Sequence, residues 1–205
     1  MRRSEDVLDF CRYVMSTSIE TIAPGFLIAA PMLKDPNFDR TVVLMCIHNE
    51  EGAMGLIINR PAPLTMRDIL QQLGMECVNE GEGTQTAMVG GPVALDIGLL
   101  LYQVTPESEH RDDELVITEE LRLCPNRDML NAIGMGQGPR KYHMFLGHSG
   151  WGPGQLEAEF AQGAWIPAPM RLDLIFSTPI DTRWEEALRG EGVSPAQFGS
   201  SRPQA

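Results

Sequence analysis

The segment Gly147–Trp151 (GHSGW) holds a serine between glycines, a spacing that hydrolases use to present a nucleophile. The nucleophile elbow G-x-S-x-G needs a second glycine where Trp151 stands, because its strained turn leaves no room for a side chain. The triad order of that fold also places a histidine after the serine, whereas all four histidines precede Ser149. Other folds use other orders, so a serine hydrolase is an alternative and a structural role is favoured.

Cys46 and His48 are the best-placed pair for a metal site. They stand two residues apart on a predicted strand, so their side chains share one face of it. His143 or His148 would have to complete the ligand set, but no spacing in the chain defines a third ligand. We therefore predict no metal site. No C-x-x-C pair occurs, and we expect reduced thiols at all four cysteines, Cys11, Cys46, Cys77 and Cys124.

Gly90-Gly91-Pro92 is the glycine-rich turn that could cradle an anion. It lacks both the G-x-G-x-x-G and the G-x-x-x-x-G-K-[ST] spacing of nucleotide-binding loops. We expect a tight turn where one backbone passes close to another, and a nest of exposed N–H groups that binds an anion is the alternative. No cofactor is predicted from this segment or from any other.

The chain is acidic, with a formal net charge of −12 and an isoelectric point near 4.7. It has two lysines, Lys34 and Lys141, and its adjacent basic residues are the pairs Arg2-Arg3 and Arg140-Lys141. A nucleic-acid-binding face needs clustered Lys and Arg, so direct nucleic-acid binding is disfavoured. An anionic membrane surface would repel the chain for the same reason. We expect a protein partner or a small-molecule ligand instead.

No segment of the sequence points to export or to a membrane. Asp9 and Arg12 interrupt any apolar run near the N-terminus, which therefore does not open a signal peptide. No stretch is long and apolar enough to span a bilayer. We predict a cytoplasmic protein.

The elements that must position these residues include one clear hairpin. Residues 41–48 (TVVLMCIH) are rich in branched apolar side chains, and residues 54–59 form the partner strand across a turn at 49–52. A helix is predicted over 66–73, because Thr65 can cap it with Asp68 in the third position. Further strands are predicted at 25–30, 87–89, 98–103, 115–118 and 141–147, further helices at 127–133, 153–162 and 183–189, short apolar segments at 164–167 and 173–176, and an exposed acidic loop at 76–86.

The order of these elements defines the domain organisation. Residues 1–18 are predicted to form an N-terminal extension with a short helix, although translation from Met15 is an alternative reading. Residues 19–192 form a single domain, and residues 193–205 a loose tail. Strands and helices do not alternate strictly, and the long hairpin is antiparallel, so the fold class is α+β with a mixed sheet.

Several motifs together resemble the YqgE/AlgH family of bacterial proteins. They cover roughly residues 22–192, in order. The motifs are GFLIAAP at 25–31, DPNF at 35–38, HNEEGA at 48–53, GLIINRP at 55–61, GGPV at 90–93, GWGPGQLE at 150–157, AW at 164–165 and RWE at 183–185. The pair His148-Ser149 departs from the aromatic or small residues that family members more often carry there, so no function is transferred through it.

The resemblance implies a mixed, bifurcated β-sheet curled into a pseudo-barrel with flanking helices. It brings no catalytic residues and no cofactor, since the family is mostly uncharacterised and some members are described as candidate transcriptional regulators. Because no complete catalytic constellation occurs either, we favour a non-catalytic regulatory or interaction protein, with any effect on transcription being indirect. The alternative is a small-molecule (anion) binding protein, or an enzyme of unrecognised type, that uses a loop-lined cleft.

The unusual residues of the motifs fall in turns and loops, where function is concentrated. We expect them to meet in one cleft with Arg40 or Arg60 facing it, and with one face of Trp151 left open by its flanking glycines. An equally good explanation is that these glycines and prolines only make the tight corners of the fold. The candidate binding cleft comprises Asn37, Arg40, Asn59, Arg60, Gly90, Gly91, Trp151, Gly152 and Gly154.

Overall fold

A computed structural model describes residues 21–78, 80–105, 108, 111–125 and 127–193. The predicted extension over residues 1–18 and the tail beyond Val193 lie outside the described residues. Ten strands follow one another along the described chain: β1 Gly25–Ala29, β2 Val42–Asn49, β3 Gly52–Ile57, β4 Pro61–Thr65, β5 Thr86–Val89, β6 Val93–Gln103, β7 Leu115–Thr118, β8 Leu121–Cys124, β9 Tyr142–Trp151 and β10 Trp165–Pro169.

The main path of the sheet runs in the order β10-β1-β2-β3-β9-β6-β8-β7, and its neighbours are antiparallel. The sheet branches at β9. One edge of β9 pairs with β6, and the other edge is shared by β3 and β5. β5 is parallel to β9, and Met88 pairs with Phe145. β4 joins the branch by pairing with β5. A mixed, bifurcated sheet is therefore present.

The predicted closure into a pseudo-barrel is not confirmed. β10 pairs with β1 alone and β7 with β8 alone among the described strands, so the two ends of the main path are not joined. The coarser prediction, an α+β fold built on a large sheet, is confirmed by the strands and the helices that pack on them.

Short helices flank the sheet. They are α1 Met66–Gln72, α2 Glu80–Gly83, α3 Arg127–Gly134, α4 Gln155–Ala161, α5 Leu172–Phe176 and α6 Arg183–Gly190. The predicted cap of α1 is confirmed: the Thr65 hydroxyl accepts from the Asp68 amide, and the Asp68 carboxylate accepts from the Thr65 amide at 2.8 Å. No described helix is long and apolar enough to cross a membrane.

The predicted hairpin is confirmed as β2 and β3, and both strands are buried almost throughout because helices and other strands cover both faces. Several elements differ from the sequence-based expectations. The predicted loop at 76–86 contains α2, the strand predicted over 141–147 continues to Trp151, and β4 and β8 had no counterpart among the predicted strands. β9 continues through Ser149 to Trp151, so Ser149 lies within a strand and not at the strand-to-helix turn of a nucleophile elbow.

Candidate functional site

Four of the predicted cleft residues, Asn37, Arg40, Asn59 and Arg60, meet where β3 ends, and the side chains of Asn59 and Arg60 bond to backbone atoms there. The Asn59 side chain accepts from the Val42 amide and donates to the Arg40 carbonyl, each at 2.8 Å. Arg60 Nη1 donates to the Asn37 carbonyl at 2.6 Å. These bonds hold the loop that precedes β2 against the loop that follows β3.

Arg40 has a left-handed backbone with φ of 53°. Its guanidinium lies over the ring of Trp184, 4.9 Å from the centroid, where the electron-rich face attracts the cation. Trp184 Nε1 in turn donates to the Ala29 carbonyl at 2.9 Å. Arg40 therefore connects the loop to α6 and β1.

Gly90 and Gly91 lie where the sheet branches. The Gly90 amide donates to the Leu146 carbonyl at 2.9 Å, and its carbonyl accepts from the Ile57 amide at 2.8 Å. A Cβ on Gly90 would stand 2.3 Å from the Gly147 carbonyl oxygen, and one on Gly91 would stand 2.3 Å from the His148 carbonyl. This geometry favours the tight turn over the anion nest, because backbone passes here at a distance that excludes any side chain.

Trp151 is buried, with 4% of its surface exposed, so the expected open ring face is not present. Its ring stacks on Phe38 at 5.8 Å and meets Trp165 edge-on at 5.9 Å. Its Nε1 donates to Glu159 Oε2 at 3.0 Å, and Trp165 Nε1 donates to the same oxygen at 2.7 Å. Trp151 is thus a packing residue of the sheet. Gly152 and Gly154 lie just before α4.

The predicted cleft residues are neighbours through the backbone and through Phe38. Phe38 belongs to the loop of Asn37 and Arg40 and touches Trp151, while the Val89 amide beside Gly90 donates to the Arg60 carbonyl at 2.8 Å. None of the nine residues lines the groove beside β6 or the two cavities beside Arg140 and Lys141. A ligand at these loops stays a prediction.

The other sequence candidates have structural contacts. Ser149 is fully buried and its hydroxyl donates to the Gly90 carbonyl at 3.1 Å, which gives a nucleophile no access to a substrate. Cys46 is buried and donates to the Leu44 carbonyl at 3.7 Å. His48 Nε2 contacts Glu157 at 2.9 Å. Within the described part of the chain, no three His, Cys, Asp or Glu residues group as metal ligands.

An apolar groove of about 470 Å³ lies between β6 and the helices α1 and α3. We call it the β6 groove. Leu95 stands on its wall with 53% of its surface exposed, and Val93 nearby is 43% exposed. Asp96 and Arg127 line it as well. Its aliphatic lining is formed by Leu64, Ile69, Leu73, Leu95, Ile97, Leu130, Met144 and Leu146.

The exposure of Leu95 follows from an irregularity in β6. Val93 pairs with His148 and Gly98 with Leu146, so β6 contains an extra loop of chain between these two pairs. Ala94 there has a left-handed φ of 52°, a conformation that costs a residue with a Cβ about 1–2 kcal/mol. Sequence reasoning missed this site, although the alternation of Val93, Leu95 and Ile97 was a strand signal.

A polar cavity of about 260 Å³ lies at the start of β9, where Gln85, Arg140, Lys141, His143 and Phe176 line it. His143 Nε2 donates to the Ile175 carbonyl at 2.9 Å, so Nδ1 is the acceptor for Gln85 Nε2 at 3.4 Å. Burial and the charge of nearby Arg183 lower the pKa of His143 to about 4, so the ring is neutral at pH 7.

Arg140 and Lys141 also line a larger cavity of about 670 Å³. Tyr102 lines it, and the Tyr102 hydroxyl donates to Glu114. Burial, and then the hydrogen bond to Glu114, raise the pKa of Tyr102 well above its usual range. Arg122 Nε lies 3.5 Å from Glu114 Oε1, and each of these two side chains is 3% exposed. This buried network ties β6, β7 and β8 together.

The structure is that of an α+β protein with a branched, mixed sheet and a buried aromatic cluster. Comparison with known proteins identifies its family. The chain belongs to the AlgH-like family DUF179, whose family model matches residues 26–196. A UPF0301 protein of Anaeromyxobacter dehalogenans (strain 2CP-C) is 39% identical over 181 residues, which are 86% of this chain and 91% of the relative. One from Methylococcus capsulatus is 41% identical over 179 residues, 87% of this chain and 94% of the relative.

Solved structures agree with this assignment. The solution structure of the AlgH protein from Pseudomonas aeruginosa is similar with a TM-score of 0.73 and 36% identity, covering 93% of this chain and all of that one. A protein from Corynebacterium diphtheriae has a TM-score of 0.67 at 20% identity over 87% of this chain and 92% of its own, which shows the fold alone. The YqgE/AlgH resemblance predicted from the motifs is confirmed.

Proposed function

We propose that this protein is a non-catalytic regulatory or interaction protein that binds a partner protein in the β6 groove. The observation that carries the proposal is the exposure of Leu95, at 53%, in the lining of an aliphatic groove. Burial of apolar surface is favourable by about 25 cal/mol per Å². An exposed apolar side chain that lines a groove is typical of an interaction site.

The groove is built on rigid elements. Ile69 from α1, Leu130 from α3 and Met144 from β9 are buried, line the groove and pack in one hydrophobic cluster. A partner therefore meets a preformed surface, which lowers the entropy lost on binding. The left-handed residue Ala94 supports the same interpretation, since strained backbone is concentrated at functional sites.

The charges around the groove indicate the chemistry of the partner. Asp96 lines the groove in a chain with a net charge of −12, so we expect an apolar segment with a basic residue beside it. Arg127 also lines the groove and donates to the Leu73 carbonyl at 3.3 Å, and an acidic group of the partner would meet it. The partner segment is thus apolar at its centre and charged at its ends.

Under this proposal the protein is cytoplasmic, and any effect that it has on transcription is indirect. The acidity that favours a partner with basic residues also repels the phosphates of duplex DNA. The protein would then change gene expression by binding another protein.

Substitution in the groove tests the proposal. We expect Leu95→Asp to lower the recovery of a specific co-purifying protein at least tenfold, because a carboxylate cannot be buried in an apolar contact. Quantitative mass spectrometry of tagged protein purified from its own cells measures this, followed by titration of the purified partner. Met32→Asp is the matched control, since Met32 is 67% exposed and does not line the groove. Equal recovery with both variants contradicts the proposal.

A further inference from the structure

Arg140 and Lys141 are adjacent cations in an acidic chain. The whole sequence has 16 Lys and Arg residues against 28 Asp and Glu residues. Three exposed arginines form ion pairs with carboxylates, namely Arg111 with Asp113, Arg171 with Asp173 and Arg189 with Glu186. Arg140 and Lys141 are exposed as well, but neither forms an ion pair with a described residue. Their charges are available to a ligand.

The two cations line the polar cavity at the start of β9 together with two aromatic rings. The rings of His143 and Phe176 are stacked there at 5.4 Å with an angle of 11° between their planes. His143 is held by the Ile175 carbonyl at 2.9 Å, so the wall is rigid. No described acidic side chain lines this cavity.

A buried cation adds to the positive potential. Arg183 is 2% exposed and donates to the Thr178 and Ile58 carbonyls, with no carboxylate in reach among the described residues. Its positive charge helps to lower the pKa of His143, which lines the cavity. Burial lowers the pKa of Arg183 to about 10, which leaves the guanidinium charged at pH 7. Its charge adds to that of Arg140 and Lys141, and the combined positive potential attracts an anion.

Gln85 supplies an unsatisfied acceptor in the same wall. Its Nε2 donates to the Tyr142 carbonyl at 2.7 Å, which distinguishes the nitrogen from the oxygen of the amide. Its Oε1 is buried and has no hydrogen-bond partner among the described residues. An unpaired buried acceptor is destabilising, so a donor from outside the chain would stabilise it.

We propose that this cavity binds a small phosphate monoester. The phosphate contacts Arg140 and Lys141, because a guanidinium fork and an ammonium together match the charge of a dianion. The organic part lies against the Phe176 ring, and a hydroxyl reaches Gln85 after a small movement of the amide. The cavity volume of about 260 Å³ limits the ligand to a small molecule. This binding site is separate from the β6 groove and goes beyond the proposed function.

Titration of the full chain tests the site, with ribose 5-phosphate, inorganic phosphate and ribose as probes. We expect ribose 5-phosphate to bind, inorganic phosphate to bind at least fivefold more weakly, and ribose not to bind. Arg140→Gln and Lys141→Gln are each expected to weaken ribose 5-phosphate binding at least tenfold. Lys34→Gln is the matched control, because it removes the same charge from the other, exposed lysine and is expected to change affinity less than twofold.

Nuclear magnetic resonance locates the site independently of affinity. The side-chain amide signals of Gln85 are expected to shift on addition of ribose 5-phosphate. The proposal is overturned if none of the probes binds, if Lys34→Gln weakens binding as much as Lys141→Gln, or if the Gln85 signals stay unchanged at saturation. Leu95→Asp is expected to leave this binding intact, so the outcome is distinguishable from failure of the proposed function.

Discussion

Single residues explain why the predicted cleft looks unusual in sequence. Asn59 and Arg60 hold backbone carbonyls and amides of the neighbouring loop, and Trp151 packs between Phe38 and Trp165. The sequence indicated that these residues were neighbours but not that their polar groups were already used. Hydrogen-bond partners far apart in the chain leave no local pattern, and this limits site prediction at the residue scale.

Glu159 is the residue whose role was least visible in the sequence. One of its carboxylate oxygens accepts from both Trp151 and Trp165, and the other accepts from Gln155 at 2.9 Å. We predict that Glu159→Gln lowers the free energy of unfolding by about 1–3 kcal/mol, because an amide N–H must then face a donor. Urea denaturation measures this. Glu50→Gln, at an exposed turn, is the control and is expected to change it by less than about 0.5 kcal/mol.

His143 makes stability depend on pH. Its pKa is about 4 in the folded protein against an ordinary value of 6.5, so the unfolded chain binds more protons between these pH values. Stability from a neutral His143 is therefore present above pH 6.5 and is lost as the pH falls towards 4, by on the order of 2–3 kcal/mol. We predict that the difference in unfolding free energy between wild type and His143→Gln shrinks over this range. A difference that is constant from pH 7 to pH 4.5 contradicts the assignment.

At the scale of elements, local patterns predicted the hairpin and α1 well, since both carry strong periodicity and capping residues. β4 was missed because its sequence PAPLT has two prolines, which argue against a strand except at an edge. β8 was missed because it is short and contains Arg122, which is buried. The strand predicted over 141–147 stopped short of Trp151 because the glycines there indicated a turn, whereas β9 continues through them. These features depend on tertiary contacts.

Two glycines test the tight packing at the branch. We predict that Gly90→Ala lowers the free energy of unfolding by about 3 kcal/mol, because its Cβ would stand 2.3 Å from the Gly147 carbonyl oxygen in a rigid strand. Gly150→Ala on β9 is the control, since its Cβ would meet no atom closer than 4.0 Å. Its cost is expected to stay below about 1 kcal/mol. Thermal and urea unfolding measure both, and equal costs would contradict the tight approach.

At the scale of the whole molecule, composition predicted an acidic domain, the order of the elements predicted the α+β class, and the motifs predicted the family. The β6 groove was beyond sequence reasoning, because it forms only when the irregular part of β6 is placed beside α1 and α3. The charge of −12 remains the most useful whole-chain property for function. It favours a partner with basic residues and disfavours contact with phosphate backbones.

The central claim is that a partner protein occupies the β6 groove, and site-specific photocrosslinking in living cells tests it most directly. A benzophenone amino acid is placed at Leu95 or, as the control, at Met32, which is exposed outside the groove. We predict one dominant crosslinked protein from position 95, with an apolar segment flanked by charged residues at the attachment point, and no such product from position 32. Absence of a specific product at 95, or the same product from both positions, would contradict the account.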